Sequence, residues 1–188
     1  MNLFIDSISS PAYVSLFDNN RNIVHTMNIE IKWNESSKLI PDLMNFLNDN
    51  HINQEDLSNI VVVNWPGSFT WVRTVVLIAN TLNYVLKKNM TPVSYFDLFN
   101  TYPIIKSSSR RDHFVQLTSH SDIEIINNFD LQKYFLDNNI DTAYWESGYD
   151  FEKTQILENI DYKSIIKELE FKDYEKIEPL YIKKPNIS

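Results

Sequence analysis

Cysteine is absent from the 188 residues, which excludes a disulfide framework, a thiol nucleophile and a zinc–thiolate site. Glycine is nearly absent: Gly67 and Gly148 stand alone, where average usage of about 7% would supply roughly 13. Positive charge is scarce. Lys+Arg number 17 against Asp+Glu 25, and the formal net charge of −8 weighs against broad binding to a phosphate backbone. No apolar run approaches the roughly 18 residues that cross a bilayer, and the N-terminus carries no basic leader, so a cytoplasmic protein is expected. The four histidines, His25, His51, His113 and His120, include no i, i+4 pair of the kind that grips zinc on one helix face. They read as surface residues.

What remains is ample for a core. Hydrophobic residues make up 43% and aromatics 13%, on a length that suits one domain or two small lobes. Ile, Asn, Lys, Tyr and Phe are abundant, as in an AT-rich genome, and that bias explains part of the glycine shortage.

The first thirty residues read as strands. Leu3-Phe4-Ile5 and Ala12–Phe17 are apolar runs, and Ile23–Ile31 alternates apolar with polar. Asp18-Asn19-Asn20-Arg21-Asn22 between them is a turn signal. An antiparallel meander is expected. The period then changes: Leu39, Leu43, Phe46 and Leu47 form one helical stripe, with Asn34, Ser36 or Ser37 as caps and Pro41 near the first turn. Ile60–Val63 is a buried strand, and a second helix spans about Phe69–Leu86 with a wide apolar arc. Beyond Thr91-Pro92-Val93 the signal weakens. A short helix near Ser94–Asn100, strands at Phe114–Leu117, Ile123–Ile126 and Thr142–Tyr144, and helices at Leu131–Leu136 and Tyr162–Leu169 are expected. No repeat appears in the sequence. Residues 1–100 read as an N-terminal lobe of β-β-β-α-β-α order, and 101–188 as a smaller, divergent C-terminal lobe. This is the order of the α/β actin-like ATPase (ribonuclease-H-like) fold, a mixed sheet flanked by helices in two small lobes.

Three features are candidates for chemistry. Asp6 ends the first strand, where a carboxylate either binds a metal or caps a loop. Ser107-Ser108-Ser109-Arg110-Arg111 is a small basic patch, readable as a phosphate contact or a solvated loop. Asn64-Trp65-Pro66-Gly67-Ser68-Phe69-Thr70-Trp71-Val72-Arg73 joins a buried strand to a helix, where free N–H groups commonly receive an anion. Two tryptophans contradict the close approach that a phosphate loop needs.

Pro66-Gly67-Ser68-Phe69-Thr70, followed two residues later by Arg73, resembles the signature of the TsaB (YeaZ) family, Gly-Pro-Gly-Ser-Phe-Thr-Gly-(aliphatic)-Arg. Phe4-Ile5-Asp6-Ser7 with Ser10 resembles its opening strand, Leu39-Ile40-Pro41 its Leu-Leu-Pro, and Glu178-Pro179-Leu180-Tyr181-Ile182-Lys183 its closing Glu-Pro-Val-Tyr-Leu-Arg. The likeness is strong over 1–100, thin over 101–172, and returns at the tail. Trp65 and Trp71 stand where the family has glycine, and Trp145 falls where a glycine turn is expected. UGA codons read as glycine would produce this pattern; UGG at codons 65 and 71 would exclude it.

The resemblance implies an accessory subunit rather than an enzyme, with no catalytic residue, metal or cofactor of its own. TsaB proteins act with TsaD, which transfers the threonylcarbamoyl group, and with the ATPase TsaE, to make threonylcarbamoyladenosine beside the tRNA anticodon. Partners implied are TsaD, TsaE through the complex, tRNA indirectly, and a second copy in a homodimer. The helix pair of the N-terminal half would pack on TsaD, and the residues expected at that interface are Leu39, Leu43, Phe46, Val75, Ile78, Ala79 and Leu82. On that reading, Ala79→Glu abolishes capture of TsaD. The rival reading is a small ATP- or metal-dependent enzyme of the same fold, a kinase or nuclease using Asp6.

Overall fold

The computed structural model describes residues 1–30, 36–67, 69–109, 111–145, 154–157 and 159–178. They form two compact units. The first holds Met1–Tyr95 together with the returning segment that starts at Asp161; the second starts at Phe96 and runs to Ile160.

The first unit is built on strands β1 (Asn2–Asp6), β2 (Ala12–Phe17), β3 (Ile23–Ile29), β4 (Asn59–Trp65) and β5 (Asn89–Ser94), in the order β3-β2-β1-β4-β5. β1, β2 and β3 form the expected antiparallel meander, while β4 and β5 join parallel. The turn into β3 follows its sequence: the Asp18 carboxylate accepts the backbone N–H groups of Asn20 and Asn22, both at 2.8 Å, and Arg21 takes a left-handed φ of 66°. β5 is a strand that the sequence hides, because Pro92 reads as a breaker. It is tolerated because β5 lies at the edge of the sheet.

Alternation along β1 sorts its side chains. Leu3 and Ile5 face α1 (Ser36–Asp49) and α2 (Phe69–Leu86), sharing one core with Leu39, Leu43, Phe46, Leu47, Val75 and Ala79. Phe4 and Asp6 face the other side, where α4 (Tyr162–Glu168) packs with Ile166 fully buried. From α4 the chain returns around the unit on specific anchors. Arg21 Nη2 donates to the Leu169 carbonyl at 2.9 Å, and the Arg21 guanidinium stacks 3.7 Å from the Phe171 ring. Asn80 brackets Ile177, donating to its carbonyl and accepting from its N–H at 2.8 and 2.9 Å.

The second unit comprises β6 (Ile104–Ser107), β7 (Asp112–Gln116), β8 (Ile123–Asn127), α3 (Leu131–Asp137), β9 (Ala143–Trp145) and β10 (Thr154–Ile156). Its strand order is β10-β9-β6-β7-β8, with β6, β7 and β8 antiparallel and β9 and β10 joined parallel. Relabelled from its own first strand, this is the 3-2-1-4-5 order of the first sheet. The duplication that the sequence does not display is thus present in topology, as an actin-like ATPase fold requires. Its core gathers Ile105, Val115, Leu131, Phe135, Ala143 and Trp145. No helix among the described residues is long and apolar enough to cross a membrane.

Candidate functional site

Asp6 is fully buried at the end of β1. Its Oδ1 accepts the backbone N–H groups of Ile8 and Ser9 at 2.8 and 3.0 Å, and its Oδ2 accepts the Ser9 hydroxyl and the Tyr162 hydroxyl, the latter at 2.9 Å. A carboxylate offers about four lone-pair positions, and four donors occupy them. Tyr162 opens α4 and stacks on Tyr13, with ring centroids 3.7 Å apart and planes 6° from parallel; its phenol pKa is raised, first by burial and then by the Asp6 charge. Asp6 therefore caps the β1–β2 turn and anchors α4. Tyr162 is the partner that sequence reasoning missed, because 156 residues separate the two.

The loop after β4 meets the same turn. A Cβ on Gly67 would lie 2.9 Å from both Cγ atoms of Ile8, so the loop needs glycine for close packing there. Pro66 is buried and Gly67 half-buried. The expectation that Trp65 and Trp145 occupy glycine-like turns is corrected. Trp65 is the last residue of β4 and Trp145 the last of β9; both are buried, and neither has a left-handed φ. The Trp65 carbonyl accepts the Tyr95 N–H at 2.6 Å. Trp71 lies in the backbone of α2, and Arg73 is exposed one turn in. Ser68, Trp33, Asn34, Gly148 and the tail from Pro179 lie outside the described residues, as do the side chains of Ser36, Ser37, Phe69, Thr70 and Trp71.

The seven expected interface residues face inward. Leu39, Leu43, Phe46, Val75, Ile78 and Ala79 are buried in the first unit's core, and Leu82 packs against it. The wide apolar arc of α2 reflects cover on two sides. Outward, α2 shows Arg73, Leu77, Thr81, Tyr84 and Val85 on one face, and α1 shows Ile40. Leu77, Tyr84 and Val85 are 65%, 77% and 66% exposed. Their spacing of i, i+7 and i+8 was legible as a second stripe.

His113 is not a surface residue: it is fully buried in β7, edge-on to Trp145 at 4.6 Å between ring centroids. Both faces of β7 are covered, which Asp112 and Gln116 on either side disguise in the sequence. His51 and His120 are exposed and His25 half-buried. The Ser107–Arg111 loop is the β6–β7 turn, the topological counterpart of the turn that Asp6 caps. It is folded on itself, with the Ser109 hydroxyl donating to Asp112 Oδ2 at 3.2 Å and Arg111 exposed; Arg110 lies outside the described residues. Among the described residues no three His, Asp or Glu side chains converge as metal ligands.

Residues 31–109 match the family model described as TsaD, tRNA N6-adenosine threonylcarbamoyltransferase. Over 64 residues the chain is 41% identical to the tRNA threonylcarbamoyladenosine biosynthesis protein TsaB of Bacillus subtilis. Over that stretch the chain is similar to a member of the TsaB (YeaZ) family. That match covers 34% of this chain and 28% of the Bacillus protein. Two solved structures share the fold. YeaZ from Pseudomonas aeruginosa matches 68% of this chain and 65% of its own at 15% identity, with a TM-score of 0.50. A structure described as an uncharacterized protein with similarity to peptidase YeaZ from Pseudomonas aeruginosa is matched over 97% of this chain and 100% of its own, at 12% identity and a TM-score of 0.65.

Proposed function

We propose that the chain is a non-catalytic scaffold subunit that binds and activates TsaD in the threonylcarbamoyladenosine modification of tRNA next to the anticodon. One observation carries the non-catalytic part. The carboxylate at the β1 end, where an enzyme of this fold would keep its chemistry, is buried with all its acceptor positions taken by the chain itself. The same observation weighs against the kinase or nuclease reading of Asp6, which needs lone pairs open to a metal or water. The Bacillus relative, named for threonylcarbamoyladenosine biosynthesis, supports the pathway, and the TsaD family model over 31–109 supports kinship with the partner.

In this reading α1 and α2 meet TsaD, or a second copy, through outward residues. Leu39, Leu43, Phe46, Val75, Ile78, Ala79 and Leu82 hold the two helices in place from beneath, while Ile40, Leu77, Tyr84 and Val85 supply the apolar contact. TsaE and tRNA join through the complex, in the cytoplasm. Size-exclusion chromatography with purified TsaD tests it: a joint peak is expected, and separate elution at micromolar concentrations would count against it. Magnesium-dependent ATP hydrolysis by the isolated chain would revive the enzyme reading.

A further inference from the structure

β3 is the outer strand of the first sheet and pairs with β2 alone among the described residues. Proteins usually blunt such an edge with lysine, proline, a bulge or a very short strand. β3 has none of these over most of its length. It runs seven residues, Ile-Val-His-Thr-Met-Asn-Ile, and its register against β2 is regular from His25 to Ile29. Its inward residues His25, Met27 and Ile29 are only half-buried, so the layer above does not close over them.

That layer is α1, and between it and β3 lies an open trough of about 310 Å3. His25 and Met27 form one wall, and Asp42, Asn45 and Asp49 the other. The α1 residues follow i, i+3 and i+7, one helical stripe facing the strand. Asp42 and Asp49 stand about 10 Å apart along the axis, from two turns of helix. An extended chain of three or four residues spans that distance. The trough thus combines a strand edge that is unpaired among the described residues with two carboxylates set along it.

We propose that the β3 edge and its trough dock an extended basic segment of another protein, paired to β3 by main-chain hydrogen bonds, with Lys or Arg side chains reaching Asp42 and Asp49. Charge selects this occupant. A second copy would bring its own Asp42 and Asp49 to the same edge and repel. The surface is distinct from the outward face of α2.

Hydrogen exchange on the full chain tests it, with the peptide Thr-Lys-Val-Lys-Val-Lys-Thr as probe and Thr-Glu-Val-Glu-Val-Glu-Thr as its counterpart. The lysine peptide is expected to slow exchange across Ile23–Ile29, and the glutamate peptide to leave it unchanged. The Asp42→Asn/Asp49→Asn double variant should bind the lysine peptide about fivefold more weakly, the scale of two partly exposed ion pairs. Asp122→Asn, on the second unit, should bind as the parent does. Absence of protection, protection confined to other segments, equal effects of the two peptides, or undiminished binding by the double variant overturns the proposal. So does protection of β3 that grows with protein concentration alone, which would make the occupant a second copy.

Discussion

Leu77→Glu and Ala79→Glu lie two residues apart on α2 and separate docking from folding. Ala79 is fully buried in the core between α2 and the sheet. A glutamate there must find room, at about 1–3 kcal/mol for overpacking, and must bury a carboxylate without a partner, at several kcal/mol more. Together these approach the 5–15 kcal/mol that holds an ordinary domain together, so Ala79→Glu is expected to unfold the chain. Its failure to capture TsaD would then say nothing about an interface. Leu77 is 65% exposed, and a charge there should alter stability by no more than about 0.5 kcal/mol. If α2 docks on TsaD, burying the exposed part of Leu77 contributes roughly two-thirds of a leucine's 1.5–3 kcal/mol, about 1–2 kcal/mol. Glutamate forfeits that and adds a desolvation cost, so affinity should fall at least about 10- to 100-fold. Thermal melting by circular dichroism reads the first effect and isothermal titration with TsaD the second. Parental affinity for Leu77→Glu, or a normally folded Ala79→Glu, would refute the reasoning.

Tyr162→Phe keeps the stacking on Tyr13 but removes the hydroxyl that Asp6 accepts at 2.9 Å, and urea denaturation should show a loss of about 1.5–3 kcal/mol. Gly67→Ala pushes a methyl into Ile8 and should cost about 1–3 kcal/mol, most of it recovered in the Gly67→Ala/Ile8→Ala pair relative to Ile8→Ala alone. His113 gives the second unit an acid sensitivity. Burial lowers its pKa against the opposing pulls of Asn128 and Asp112, whereas the unfolded chain takes up that proton near pH 6.5. The stability from this neutral imidazole is therefore complete above about pH 6.5 and lost as pH falls below it. Denaturation at pH 7.5 and 5.5 should show that drop in the parent and a smaller one in His113→Gln.

Where residues interact with near neighbours, the sequence was a good guide. The ends of α2 follow from its apolar positions and from the loop at Gly67, and the Asp18 turn from its Asn-rich composition. Strands whose signal depends on their neighbours were hidden: β5 carries Pro92 at a tolerant edge, and β10 has three residues. The site divides the same way. Asp6 was visible as a strand-end carboxylate, but whether it works or merely holds depended on Tyr162 far along the chain. The apolar arc of α2 was visible too, yet a periodic stripe cannot say whether it meets its own sheet or a partner, and here it meets the sheet.

Most direct is reconstitution: purified TsaD and TsaE, supplied with threonylcarbamoyl donor and tRNA, with and without this chain, the modified nucleoside being measured by mass spectrometry. Modification that depends on the chain, with no turnover by the chain alone, is the predicted result. Equal modification in its absence would contradict the account.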